Sequence, residues 1–419
     1  MTEGEPLAKD GGQPPDAGPR PVDDDPGRWR ALFVVSAAML LSLSAWMTAT
    51  AVGPELQARW ALSAAQVGWL TTTVQLGFVI GTAVAAVLNL ADVIPARVLF
   101  SVSAALAAGS NALLLFVPGY GAALGVRFLT GAFLAGVYPP GMKMISTWFR
   151  SGRGFAIGTV VGALTVGKAL PYLLKATGGS GLSVVVTGAS IAGLGAAVLV
   201  AWGYRDGPYP FARRPFEWAR VGRILRHRDT MLATGGYLGH MWELYAMWTW
   251  VPAFLAVAAA GGTSARAVDL AAFGTIAAGG LGCVWGGLAA DRIGRARVVN
   301  LAMAVSGICC LVAGPALVAP FWFVASLCWV WGFFVVADSA QFSAMVTEVA
   351  PSDSVGTALM LQTSLGFLLT MVTIQAVPIA VELVEWRWAF AILALGPVAG
   401  IMSIRRLVRS QQLASPALL

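Results

Sequence analysis

Charge is scarce in this chain of 419 residues, since 11% of the residues are charged and 58% are hydrophobic. A soluble protein carries about 25% charged residues. The deficit excludes a soluble globular protein, because no core of reasonable size could hide so much apolar side-chain area. Most of the chain is expected to face lipid. The 49 glycines and 16 tryptophans agree with this, since small residues serve helix contacts in membranes and Trp favours interfaces.

Histidine and cysteine are also rare, with 2 and 4 residues. The cysteines lie inside apolar runs and show neither zinc spacing nor a disulfide framework. Two histidines supply metal clusters and relay chemistry poorly, so we expect no enzyme activity, no cofactor and no metal. The sequence also lacks the Gly-x4-Gly-Lys-Ser/Thr motif of proteins driven by ATP. The net charge of +7 does not predict a nucleic-acid partner, because the arginines cluster between apolar runs and set membrane orientation instead.

Twelve apolar runs are long enough to span a membrane, which takes about 20 residues for ~30 Å of hydrocarbon. Backbone groups in lipid must be paired within the segment, so each run is predicted to be a helix. The fold expected is an all-α polytopic membrane protein with 12 transmembrane helices in two six-helix bundles. The runs cover 31–52, 66–90, 97–117, 121–143, 154–175, 181–202, 231–257, 268–290, 298–317, 320–343, 355–378 and 387–405.

The predicted domains follow from these runs. Residues 1–28 are rich in Pro, Gly and Asp and are expected to form a disordered cytoplasmic tail. Bundles at 29–203 and 231–406 are joined by a cytoplasmic linker at 204–230 with a basic helix on the inner leaflet, and a tail follows at 407–419. Most of the 27 Lys and Arg lie on one side, which predicts cytoplasmic termini in the cytoplasmic (inner) membrane. We expect a monomer.

A Gly-rich turn with a carboxylate and two arginines separates the eighth and ninth runs, and a degenerate copy separates the second and third. Such a repeat indicates a duplicated fold. Asp291 can cap a neighbouring helix N-terminus. Arg292 and Arg295 can pair with carboxylates or helix C-termini across the cytoplasmic seam and hold the bundles closed. The predicted gating residues are Gly287, Asp291, Arg292, Gly294, Arg295 and Asp92.

The twelve spans, the long central loop and the motif Gly287-x3-Asp291-Arg292-x-Gly294-Arg295 together resemble the major facilitator superfamily over residues 30–405. The resemblance implies a secondary transporter in which this motif has a conformational role. Residues 237–250 and 337–343 look loosely like the nitrate/nitrite and cyanate permease branch. However, the Gly/Asn-rich nitrate signature is absent and the second run has no arginine to hold nitrate. We therefore expect another substrate.

Ionisable residues at membrane depth are costly and by default mark substrate or proton paths. Arg127 and Lys168 are expected at similar depth. They would form an anion site if both face the cavity, whereas pairing or snorkelling is the structural alternative. The seventh run places Tyr237, His240 and Glu243 on one stripe. The predicted substrate-binding residues are Arg127, Lys168, His240, Glu243 and Tyr245.

Proton coupling is predicted through Glu243 and Asp338. A carboxylate near the midplane can take and release protons, whereas a buried hydrogen-bonded pair with His240 is the structural alternative. Asp338 lies near the cytoplasmic end of its run and could instead be a gate partner for an arginine. The predicted function is proton-coupled secondary transport of a small organic anion in the lipid bilayer. Export of drugs or toxic compounds and a non-transporting sensor or assembly factor are the alternatives.

Overall fold

The computed structural model describes residues 25–150, 152–178, 181–209 and 218–414, and these ranges contain helices and connecting turns. Most of the predicted N-terminal tail, the centre of the linker and the last five residues lie outside the described residues. Twelve long helices correspond to the twelve apolar runs. They are α1 Gly27–Leu43, α2 Ala64–Val87, α3 Ala96–Leu113, α4 Tyr120–Ser146, α5 Arg153–Gly178, α6 Leu182–Gly203, α7 Arg228–Ala258, α8 Ala265–Ile293, α9 Arg295–Val312, α10 Phe321–Val349, α11 Val355–Ala389 and α12 Leu395–Ala414.

Within the described ranges, nine stretches are long and apolar enough to cross a membrane. One of them, Val355–Leu413, contains both α11 and α12. The two remaining helices fall outside this set for different reasons. Helix α1 has only 17 residues, and the 31 residues of α7 include several polar side chains. The predicted all-α membrane fold with twelve helices is confirmed.

Four of the long helices are interrupted, and one of them, α11, is interrupted at Glu385, where the backbone is not helical. Helix α1 stops at Leu43, and after a turn the short helix Thr48–Ala51 follows, so the apolar run 31–52 is not one helix. Helix α4 is broken between Leu134 and Tyr138, next to the Pro-Pro pair expected to disturb it, because proline cannot donate a helical hydrogen bond. Helix α10 is broken at Asp338. Such breaks expose backbone groups that other parts of the protein must satisfy.

The helices of each half pack mainly on one another, and the two halves meet along α5 and α8. Glycines make this approach close. A Cβ added to Gly162 would lie 2.7 Å from the carbonyl oxygen of Gly280, and one added to Gly158 would lie 3.2 Å from that of Cys283. The Gly-x-x-x-Gly spacing of α5 was expected to serve helix packing, and the structure shows that it serves the contact between the halves.

The linker contains one described helix, Trp218–Arg226, which contacts α7 and α11. We call the side of the molecule that carries this helix the linker face and the opposite side the far face. Arg223 of the linker helix forms a salt bridge with Asp353, which precedes α11, with 2.9 Å between Nη1 and Oδ2. The linker helix is therefore fastened to the second half.

Candidate functional site

A central cavity of about 90 Å³ lies between the two halves. Helices α2, α4 and α5 line it from the first half, and α7, α10 and α11 line it from the second. A wider cavity of about 530 Å³ lies among the linker-face ends of α4, α5, α9, α10 and α11. The two cavities share Tyr138, Val161, Ser339 and Ser343. The central cavity is thus continuous with an opening on the linker face.

Lys168 is the one charged side chain among the residues that line the central cavity. Its ammonium donates a hydrogen bond to the hydroxyl of Tyr245. The Nζ atom also lies 4.5 Å from the ring centre of Trp46, 4.7 Å from that of Tyr245 and 5.1 Å from that of Trp248. We call these three rings the aromatic cage. Aromatic faces attract a cation, and this attraction grows as water is removed.

The charge of Lys168 is not balanced by a carboxylate anywhere in the described chain. The side chain is 4% exposed, so water does little to stabilise the ammonium. Burying an unpaired charge is costly, and the aromatic cage offsets only part of this cost. The cavity therefore has a cationic end that an anion would stabilise.

The cavity is closed toward the far face by aromatic rings from both halves. Phe78 of α2 packs against Phe367 of α11 with ring centres 4.9 Å apart, and Trp46 packs against Phe78 at 5.2 Å. Farther out, the Thr370 hydroxyl donates a hydrogen bond to the side-chain oxygen of Gln75, which also joins α11 to α2. The structure is therefore closed at the far face and open at the linker face.

Four hydroxyl groups line the central cavity on its way to the wider one. Tyr138, Ser339 and Ser343 line both cavities, Tyr237 lines the central one, and none of the four hydroxyls has a hydrogen-bond partner within the described residues. Ser339 and Ser343 are four residues apart on one face of α10. The cavity thus carries hydrogen-bonding groups at the end opposite to Lys168. We call these four side chains the hydroxyl row.

Arg127 is fully buried but does not line the central cavity. Its guanidinium donates to the carbonyl oxygens of Ala45 at 2.9 Å and Trp46, and to Oδ1 of Asn111 at 3.1 Å. These carbonyls lie in the turn after α1, where the helix no longer supplies donors. The structure therefore does not bring Arg127 and Lys168 together as an anion pair, because the broken helix engages the planar donor fork of Arg127.

Glu243 also faces away from the central cavity, into the second half. Its carboxylate accepts hydrogen bonds from the indole N–H of Trp331, the thiol of Cys310 and the hydroxyl of Ser306. The donors come from α9 and α10, so the carboxylate joins both helices to α7. The structural alternative of a pair with His240 is not what the structure shows. Tyr245, by contrast, lines the central cavity.

His240 lies beside Asp338, with 2.9 Å between Nδ1 and Oδ1, and both side chains are buried. The other ring nitrogen, Nε2, has no hydrogen-bond partner among the described residues. Asp338 sits at the break of α10, so the pair connects α7 to that break. Sequence reasoning considered a loop arginine as the partner of Asp338, and the structure gives it a histidine instead.

The residues of the repeated motif divide between two roles. A Cβ added to Gly154, in the first turn of α5, would lie 3.7 Å from both carboxylate oxygens of Asp291, so Asp291 reaches the start of a helix in the other half as expected. Gly287 lies one turn earlier on α8 and also faces Gly154. Gly294, between α8 and α9, has φ +86°, which favours glycine.

The arginines of the motif were expected to pair across the cytoplasmic seam, and the structure shows a different arrangement. Arg295 donates to Glu348 at 2.8 Å and to the side-chain oxygen of Gln341 at 2.9 Å, both in α10 of its own half. The reason is that α9 begins at Arg295, next to the linker-face end of α10. Arg292 is exposed. The side chain of Asp92 lies outside what the structure describes.

Sequence reasoning did not single out several of the cavity residues. Trp46 belongs to the turn after α1, which interrupts a stretch that the sequence presents as one apolar run. Ser339 and Ser343 were detectable as a polar pair at four-residue spacing. Trp248 was expected to pack or lie at the interface rather than bind ligand, and the structure places it in the aromatic cage.

Two helical halves around a cavity that opens on one face define a polytopic membrane transporter. The family model of the Major Facilitator Superfamily matches residues 34–369, and the chain belongs to that family. A crystal structure of a mutant of the nucleoside transporter NupG is similar, with a TM-score of 0.69 over 90% of this chain and 99% of that chain at 12% sequence identity. No curated protein sequence matches.

Proposed function

We propose that this protein is a secondary active transporter that moves a small organic anion across the cytoplasmic membrane by alternating access. The observation that carries the proposal is Lys168, a buried cation without a carboxylate partner in a cavity between the two halves. An anion entering the cavity would replace the missing counter-charge. The attraction between the anion and Lys168 is strongest when water is excluded from the cavity. Binding therefore favours closure of the two halves around the substrate.

The movement proposed is a rocking of the two halves about the central cavity. The distribution of Lys and Arg supports a cytoplasmic linker face, and the proposal therefore takes the cavity as open to the cytoplasm. Opening at the far face then requires separation of α2 from α11, which Phe78–Phe367 and Gln75–Thr370 hold together. We propose that Asp291 and Gly287 act as linker-face gate residues through their contacts with the start of α5, which are already present in this structure.

Proton coupling is proposed through Glu243, with the His240–Asp338 pair as a second proton-carrying group. Glu243 is buried among three donors and lacks a cation, an arrangement that a change of protonation would rearrange. Since its partners lie on α9 and α10, protonation would act on helix packing in the second half rather than on the substrate directly. This separates the coupling group from the anion-binding group.

A second candidate function is export of uncharged aromatic compounds, which the aromatic lining of the cavity favours. The NupG neighbour is described as a nucleoside transporter, and nucleosides are uncharged aromatic solutes of this kind. The buried charge of Lys168 favours the anion over such compounds. The two functions differ in whether removal of Lys168 abolishes transport.

The test uses purified protein in proteoliposomes with an imposed pH gradient and labelled cinnamate as the anion. Lys168→Met should lower uptake by about tenfold or more, equivalent to ~1.4 kcal/mol. Arg405→Met, which removes an exposed cation at the linker face, is the matched control and should transport like wild type. Glu243→Gln should lose gradient-driven uptake but keep exchange of internal for external anion. Unchanged uptake in Lys168→Met would favour transport of uncharged substrates over anion transport. Unchanged gradient-driven uptake in Glu243→Gln would show that Glu243 has no role in proton coupling.

A further inference from the structure

We propose that the ligand of the central cavity is a planar aromatic monocarboxylate that carries a hydroxyl group at the end remote from its carboxylate. The inference rests on the proposed function and adds the substrate class to it. Three features of the cavity carry it: a single cation at one end, the flat aromatic rings that surround this cation, and the hydroxyl row toward the linker face.

The charge of the ligand follows from the cationic end. Lys168 is the one charged side chain in the lining, and Arg127 is occupied by the carbonyls after α1. One of the three ammonium donors of Lys168 already bonds Tyr245, which leaves two for a carboxylate. A monoanion would therefore be neutralised in the cavity. A dianion would carry an uncompensated charge into a buried site, which is costly.

The shape of the ligand follows from the walls. Trp46, Tyr245 and Trp248 surround the ammonium, so the part of the ligand next to its carboxylate lies against their rings. Flat rings pack edge-to-face or offset against such walls and gain more than their buried area alone provides.

The remote hydroxyl follows from the hydroxyl row. Tyr237 precedes Tyr245 by eight residues on α7, a separation of ~12 Å along the helix axis. Ser339 and Ser343 face the same end from α10, and Tyr138 does so from α4. A ligand whose carboxylate reaches Lys168 thus places its other end among four hydroxyls without protein partners. A ligand group that can donate and accept hydrogen bonds satisfies them better than an apolar end.

The experiment compares anions by competition with labelled cinnamate in counterflow, using 4-hydroxycinnamate, cinnamate, 3-cyclohexylpropanoate, acetate and phthalate as competitors. The expected order places 4-hydroxycinnamate first, about fivefold ahead of cinnamate for one added hydrogen bond of ~1 kcal/mol. The saturated ring, the short aliphatic acid and the dianion should each compete at least about tenfold more weakly than cinnamate.

Variants of the hydroxyl row provide the second readout. In Ser339→Ala/Ser343→Ala, the ratio of the apparent affinities for 4-hydroxycinnamate and cinnamate should fall from about five to near one. Because the readout is a ratio, a general loss of folded protein cannot produce it. An unchanged ratio in this variant would overturn the hydroxyl assignment.

Failure of the substrate class is distinguishable from failure of the proposed function. Acetate, 3-cyclohexylpropanoate or phthalate competing as well as cinnamate, through a site that still requires Lys168, would overturn the aromatic monocarboxylate but leave anion transport intact. Competition by aromatic alcohols alone, independent of Lys168, would overturn both.

Discussion

Lys175 and Asp269 form a salt bridge between the two halves, with 3.4 Å between Nζ and Oδ1. Lys175 belongs to the last turns of α5 and Asp269 to the first turns of α8, so the pair lies at the far face. The side chains are only 15% and 12% exposed, which limits screening by salt. The structure thus makes Lys175 part of the far-face closure.

Loss of this pair should open the far face. In Asp269→Asn, the closed population should fall about fivefold relative to the open one, for ~1 kcal/mol lost from a partly exposed pair. Spin labels at Thr177→Cys and Arg266→Cys, both exposed, report the separation of α5 and α8 by pulsed electron resonance. The native cysteines are buried and should stay unlabelled. The charge swap Lys175→Asp/Asp269→Lys should restore the short distance. Identical distance distributions in Asp269→Asn and wild type would contradict a role of the Lys175–Asp269 salt bridge in closing the far face.

The glycine contact between the halves predicts a stability change. Gly162→Ala places a Cβ 2.7 Å from the carbonyl oxygen of Gly280, so α5 and α8 must separate. Overpacking of this kind costs ~1–3 kcal/mol. Gly195→Ala is the matched control, since its added Cβ meets no atom within 4 Å. Thermal unfolding in detergent should show a lower Tm for Gly162→Ala only. Equal Tm values for the two variants would refute a close contact here.

Arg127 is expected to stabilise the fold rather than bind the substrate. Arg127→Lys keeps the positive charge but cannot satisfy the carbonyls of Ala45 and Trp46 together with Asn111. It should lower stability by ~2 kcal/mol, while the affinity of the folded protein for cinnamate stays within about twofold of wild type. Thermal unfolding and equilibrium binding measure the two effects. A stable variant with about tenfold weaker binding would return Arg127 to the anion site.

The salt bridge between Arg223 and Asp353 should hold the linker helix in place at all pH values between about 5 and 8. The hydrogen bond from the Ser354 hydroxyl and the guanidinium groups of Arg220 and Arg223 hold the pKa of the Asp353 carboxyl below its usual range. A lowered pKa means that the contribution is present above about pH 4 and is lost as pH falls through the folded value. A spin label at Gly222→Cys, where an added Cβ meets nothing within 4 Å, should be equally mobile at about pH 8 and pH 5.

The matched change for the linker is Asp353→Asn. It should increase the mobility of the Gly222→Cys label at both pH values, since an amide cannot replace the ion pair with Arg223. If the Gly222→Cys label becomes more mobile between about pH 8 and pH 5 while Asp353 is intact, the salt bridge does not hold the linker helix in this pH range.

Much of the fold could be predicted because its determinants are local. Spanning length predicted the number and order of the twelve helices, although α1, α11 and α12 each differ from their predicted limits by 8 or more residues at one end or both. The glycine spacing of α5 is typical of a close helix contact. Asp291 was expected at a helix N-terminus and lies beside that of α5. Each of these predictions depends on properties of one segment.

The site was harder to predict because it depends on which side of a helix faces which neighbour. Helix α7 is surrounded, so its polar residues at three- and four-residue spacing do not reveal which face lines the cavity. Tyr245 and Glu243 are two residues apart and point to different neighbours. The role of Arg127 depends on the break after Leu43, which an unbroken apolar run conceals.

The central claim is that Lys168 binds the transported anion, and equilibrium binding of cinnamate to purified protein tests it most directly. Wild type should bind cinnamate at least about tenfold more tightly than Lys168→Met does. Tyr245→Phe, which removes the hydroxyl partner of Lys168 but keeps the ring, should lose far less than Lys168→Met. Equal affinities for wild type and a folded Lys168→Met variant would contradict the account.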